Sequence, residues 1–203
     1  MNENTLNAKK EFLRIFKSTI MRDGAEDLLK FLEKSDFFTA PASTRFHLSE
    51  EGGLCQHSLH VYERLVALCE MECMVNKNFV RPAPEALAIC GLLHDLCKCN
   101  FYRQEMRNKK NETTGQWEKV PTYVVEDTLP FGHGEKSVYM LSSFIKLSRE
   151  EAMAIRWHMG FSDDNFKAGG YTVGNAFEKF PLAVLTHLAD LQATYLDEVV
   201  TGK

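Results

Sequence analysis

The sequence predicts an all-α helical bundle with one β-hairpin inserted at about residues 100–130. Three observations carry this. Apolar residues recur three and four positions apart over most of the chain, the spacing of a helix face. One stretch alone switches to β-branched and aromatic residues around a polar centre that ends at a glycine. The 203 residues show no repeat, low-complexity segment or composition break, so residues 1–203 are expected to form a single domain.

In chain order, Leu6, Phe12, Leu13, Phe16 and Ile20 mark a first helix over about Thr5–Ile20. Met21-Arg22-Asp23-Gly24 breaks it, and Leu28, Leu29 and Leu32 mark a second over about Ala25–Lys34. These helices, spanning about 5–34, are expected to pack onto the rest. Ser35–Gly53 reads as a long loop, a length that in compact domains often serves function. Leu54–Val75 is a helix with Leu59, Val61, Leu65, Val66 and Leu68 inward, and His57 and His60 in its first turns. Pro82-Ala83-Pro84 opens the next helix, with proline in its tolerated early position. That helix is expected to run from Glu85 to about Cys97, and being apolar nearly all round it should be buried. Phe101–Arg107 and Trp117–Val125 have strand composition, with Asn108–Gln116 as the polar tip. Arg103, Arg107, Lys109 and Lys110 make the hairpin the most basic segment; it is either a solvated hairpin or a flap for an anionic substrate. A helix from Gly132 through Phe144 and Ile145 follows, and Ser148-Arg149-Glu150-Glu151 is a capping box for another that runs to about His158. Gly160–Gly174 reads as a second loop, and Pro181 opens a last helix to about Val199.

Composition excludes several classes. Hydrophobic residues at 44% and charged residues at 26% are ordinary for a soluble globular chain. A net charge of −4 gives no reason to expect duplex nucleic acid or an anionic membrane as partner. No apolar run approaches a membrane span, and Met1-Asn2-Glu3-Asn4 does not begin a signal peptide, so a cytoplasmic location is expected. The six cysteines are then reduced thiols rather than a disulfide framework. Cys97 and Cys99 flank Lys98, but no second Cys pair completes a zinc site.

Ionisable residues interrupt the central apolar helix at Leu93-His94-Asp95-Leu96-Cys97-Lys98. A buried, charged Asp is costly unless it is paired or binds a metal. With His57, His133, His158 and Asp190, each near an end of a predicted apolar helix, the pair makes a set of four His and two Asp. Imidazole and carboxylate together suit Fe, Mn, Zn, Co or Ni better than Mg or Ca. Six side chains are too many for one four-coordinate site with an open position, and about right for two cations sharing a carboxylate.

The order His, His-Asp, His, His, Asp resembles the HD-domain superfamily of metal-dependent phosphohydrolases, and its two-metal members in particular. The matching strings are Gly52-Gly53-Leu54-Cys55-Gln56-His57-Ser58, Leu93–Lys98, Gly132-His133-Gly134-Glu135-Lys136-Ser137 and His187-Leu188-Ala189-Asp190, a metal-ligand core over 52–190. The resemblance implies that His57, His94, Asp95 and Asp190 hold one divalent transition metal. His133 and His158 hold a second, with Asp95 bridging; if either faces substrate instead, a single metal remains. It also implies a hydrolase that attacks a phosphomonoester or phosphodiester of a nucleotide, or of a short oligonucleotide end, with an activated water. Asp95 and Lys98 are the expected catalytic residues, Lys98 neutralising phosphate charge or serving as a plain surface lysine. Arg45 and His47 are candidates to reach phosphate from the long loop, and Glu135 and Lys136 to line the pocket or remain solvated. His187 is a candidate to orient Asp190, and His60 reads as structural. Two other functions fit the same ligands: an HD-like oxygenase with a mixed-valent iron pair, and a module that senses a nucleotide without turnover.

Overall fold

The structure, a computed structural model, describes residues 1–111 and 113–199. It is an all-α bundle with one inserted antiparallel hairpin. Helix α1 (Glu3–Thr19) is capped by Asn2, whose side chain accepts the Thr5 N–H, and turns Phe12, Ile15 and Phe16 inward. Gly24, at φ 88°, then redirects the chain into α2 (Ala25–Lys34). Residues 35–52 form a packed loop with Phe37, Phe38, Ala40 and Ala42 buried.

The centre is α3 (Gly53–Val75) packed on α4 (Pro84–Leu93). Gly91 lets them touch backbone to backbone, because a Cβ there would lie 2.5 Å from Cα of Tyr62. The hairpin pairs β1 (Tyr102–Lys110) with β2 (Trp117–Val125), from Tyr102 opposite Val125 to Lys110 opposite Trp117. α5 (His133–Ser142) and α6 (Arg149–Arg156) follow, the latter opened by the Ser148–Glu151 capping box. α9 (Pro181–Gln192) lies against α3 and α6 and completes a core that also takes in Phe12, Phe16, Leu28 and Leu32. No described helix is long and apolar enough to cross a membrane.

The structure departs from the sequence reading at several places: β1 takes in Asn108–Lys110, expected in the tip, α5 stops at Ser142 short of Ile145, and three longer stretches differ. α4 ends at Leu93 rather than near Cys97. The His94 ring donates from Nδ1 to the Gly91 carbonyl, Asp95 leaves the helical region at φ −101° and ψ 21°, and a tight helical turn (Leu96–Lys98) follows. The stretch 160–174, expected as loop, contains α7 (Asp164–Lys167) and the start of α8 (Thr172–Lys179). Val173 and Ala176 bury against Trp157 in a small second core, which outweighs the helix-breaking glycines around them. After Gln192 the last helix widens into a π-helical segment (Ala193–Asp197) instead of continuing as α-helix to Val199.

Candidate metal centre

Six side chains converge from five parts of the chain: His57 from α3, His94 and Asp95 from the end of α4, and His133 from the start of α5. His158 comes from the turn after α6, and Asp190 from α9. His57, His94, Asp95 and His158 are all buried, whereas His133 is partly open to solvent.

Asp95 sits between two sets of ring nitrogens. Its Oδ2 lies 3.6 Å from Nε2 of His57 and 3.6 Å from Nε2 of His94. Its Oδ1 lies 2.7 Å from Nε2 of His133 and 3.4 Å from Nε2 of His158. Asp190 joins the first set, its Oδ1 3.2 Å from Nε2 of His57. Ligand atoms close enough for one cation to gather are found in His57, His94 and Asp190, and again in His94, Asp95 and His158. Asp95, Cys97 and His133 form a further such group, with Sγ of Cys97 3.4 Å from Nδ1 of His133.

The far sides of the rings fix which nitrogen is free. Nδ1 of His94 donates to the Gly91 carbonyl at 2.9 Å, and Nδ1 of His158 to the Ile155 carbonyl at 2.7 Å. In a neutral ring this leaves Nε2 as the acceptor, which His94 turns toward His57 and Asp95 and His158 turns toward Asp95. Nε2 of His158 is buried with no hydrogen-bond partner, and a carboxylate oxygen of Asp95, another acceptor, lies 3.4 Å from it. A buried acceptor facing an acceptor is unfavourable unless a cation lies between them, so the donor set fits a divalent metal.

Protonation follows the same geometry. Burial drives the His94 pKa down to about 3, so the ring is neutral. Burial opposes charge on His57 too, but Asp190 and Glu198 outweigh it and lift the pKa to about 9. For His133, Cys97 and Asp95 overcome burial and lift it to about 10. Burial would raise the Asp95 pKa, yet Lys98, His94 and His133 hold it well below the usual carboxylate range. At neutral pH the site is a charged carboxylate among imidazoles, and a cation would displace protons from His57 and His133.

The other residues singled out from the sequence part company here. A cavity of about 760 Å³ opens over the centre, lined in part by His47, Asp95, Lys98, Tyr102 and Asp190. Nζ of Lys98 lies 2.7 Å from Oδ2 of Asp95. Arg45 is exposed, its guanidinium over the Phe46 ring, and does not line the cavity. Glu135 pairs with Arg156, and Lys136 with Asp127 at 2.5 Å and over the Phe101 ring, so both also stand outside it. Nδ1 of His187 donates to the His158 carbonyl at 2.7 Å, bracing that turn rather than bonding Asp190.

One buried carboxylate escaped the sequence reading. Glu198 accepts from Nδ1 of His57 at 3.0 Å and from Nδ1 of His60 at 2.9 Å, and it also pairs with Nδ1 of His47. His60, which reads as structural in the sequence, thus belongs to the shell around the centre. In an α-helix Glu198, eight positions after Asp190, would sit about 80° round from it. The extra residue accommodated by the π segment brings it back toward the same side. A carboxylate behind a metal-facing imidazole orients the ring and raises its basicity. Glu198→Gln is therefore expected to weaken metal binding about 10- to 100-fold in a chelator competition while leaving the circular dichroism spectrum intact. Unchanged affinity would show that the contact has no bearing on the centre.

A sequence model of one family, described as HD domain, matches residues 54–191, well over half of the chain. No curated protein and no solved structure matches it.

Proposed function

The chain belongs to the HD-domain family, whose members are generally metal-dependent hydrolases, and from that membership we propose a phosphohydrolase with a dinuclear centre. Its substrate is a phosphomonoester or phosphodiester of a nucleotide or of a short oligonucleotide end. The observation that carries this reading is the division of labour at Asp95, one oxygen toward His57 and His94 and the other toward His133 and His158. A single cation gathered by His94, Asp95 and His158 would leave His57, Asp190 and His133 without use.

His57, His94, Asp95 and Asp190 on one side and His133 and His158 on the other would hold divalent cations of the Fe, Mn, Zn, Co or Ni type, which would supply an ionisable water and positive charge for the phosphate oxygens. The protein's own residues do the rest. Asp95 and Asp190 bring negative charge that neutral imidazoles alone would lack. Lys98 keeps its proton: burial works against the ammonium, but Asp95 beside it outweighs burial and raises the pKa. That ammonium lines the cavity, placed to neutralise a phosphate oxygen or the departing oxygen.

The test is a phosphoester screen. Metal-stripped protein reloaded with Mn or Fe under anaerobic conditions should release phosphate or nucleoside from some member of a panel of nucleotides and short oligonucleotides. His94→Ala should be silent. No turnover by any freshly loaded preparation, or turnover that needs dioxygen, would contradict the reading.

A further inference from the structure

The hairpin takes no part in the chemistry above, yet its two faces differ sharply. Antiparallel register places directly opposed residues on the same face and alternates faces along each strand. Tyr102, Tyr123, Met106, Lys119, Lys110 and Trp117 consequently share one face, from the base of the ladder to its tip. The rings of Tyr102 and Tyr123 lie 6.5 Å apart. None of the other residues of the ladder on that face, Gln104, Asn108, Pro121 and Val125, is acidic. The opposite face carries Glu105 and Glu118, and Glu105 there pairs with both Arg103 and Arg107.

The first face is open where apolar residues would be expected to hide: Met106 is 61% exposed and Trp117 69%. Its base reaches the metal centre, because Tyr102 and Val125 line the main cavity. Tyr102, Gln104 and Tyr123 also line a smaller adjoining cavity bordered by Asp36 and Glu51. Both of those carboxylates are engaged, Asp36 by the Asn100 N–H at 2.6 Å and Glu51 by the N-terminal ammonium at 3.4 Å. Nine-residue strands span about 30 Å, room for several nucleotides.

We propose that this face of the hairpin is a platform for single-stranded nucleic acid and delivers the strand's end to the metal centre. Bases stack on Trp117 and the tyrosines, while Lys110 and Lys119 meet phosphates. In a chain of net charge −4, an extended ladder face with aromatics, lysines and no acidic residue of its own is a local exception suited to a polyanion with flat groups. The delivery part rests on the phosphohydrolase reading; the binding part does not.

The experiment uses full-length, chelator-treated protein with fluorescein-labelled dT12 and rU12, read by anisotropy and by tryptophan emission. The chain has two tryptophans, and Trp157 is buried, so quenching reports Trp117. Binding should quench emission, and Trp117→Ala should weaken it about tenfold. The pair Lys110→Glu with Lys119→Glu should weaken binding more than about tenfold and flatten its salt dependence. The pair Arg107→Glu with Lys109→Glu makes the same charge change on the other face and should cost less than about threefold. Absence of binding to either oligonucleotide, equal losses for the two pairs, preference for duplex, or preference for phosphatidylserine vesicles would each overturn the proposal. A failed phosphoester screen alongside face-dependent binding would leave the platform standing and remove the hydrolase. Mononucleotide turnover without face-dependent binding would do the reverse.

Discussion

On the proposed dinuclear hydrolase, Asp95→Asn is expected to lower turnover by at least about 10³-fold and to cut bound metal from two per chain to one or none. The carboxylate has two equivalent oxygens, and the structure uses both, Oδ2 for the His57 and His94 side and Oδ1 for the His133 and His158 side. An amide offers one oxygen and one NH₂. Whichever way it turns, one pair of imidazoles meets hydrogen-bond donors instead of a ligand. The substitution also removes the charge that balances Lys98, 2.7 Å away. Metal analysis and steady-state rates on the same preparations check this, with circular dichroism to confirm the fold. Full metal content and more than a tenth of the original rate would contradict it.

Gly91→Ala carries the largest expected effect on stability. A Cβ at position 91 would lie 2.5 Å from Cα and 2.8 Å from Cβ of Tyr62, which α3 cannot yield by rotating a side chain. The two helices must separate, at a cost of about 3 kcal/mol. For a chain of this size that is a fall of about 6–12 °C in Tm. The site should suffer too, because α3 bears His57, α4 leads directly into His94, and their Nε2 atoms lie only 3.3 Å apart. A thermal melt of the variant checks the first effect; an unchanged Tm would mean that the helices are not in backbone contact.

The convergent residues were legible because each lies near the end of a helix whose apolar spacing is plain. Leu54–Val75 and the run before His94 can be buried in few ways, and burial forces a role on the ionisable residues they carry. The hairpin was legible from its shift in composition, although its first strand runs to Lys110 rather than ending at Arg107 as expected. What was not legible depends on long-range packing. The salt bridge that draws Lys136 away from the cavity needs Asp127, and the ring beneath it is Phe101 at the hairpin's base. Glu198 depends on a change of helical pitch, which α-helical counting hides. α8 depends on Trp157 offering Val173 and Ala176 a surface to cover.

Electron paramagnetic resonance on protein titrated with Mn(II), with the bound metal counted in parallel, bears most directly on the proposal that Asp95 is shared between two cations. The expected result is two Mn per chain with a spin-coupled signal in the wild type, and loss of the coupling in Asp95→Asn. One Mn per chain with an isolated-ion spectrum, at saturating metal and in the wild type, would contradict a bridged pair.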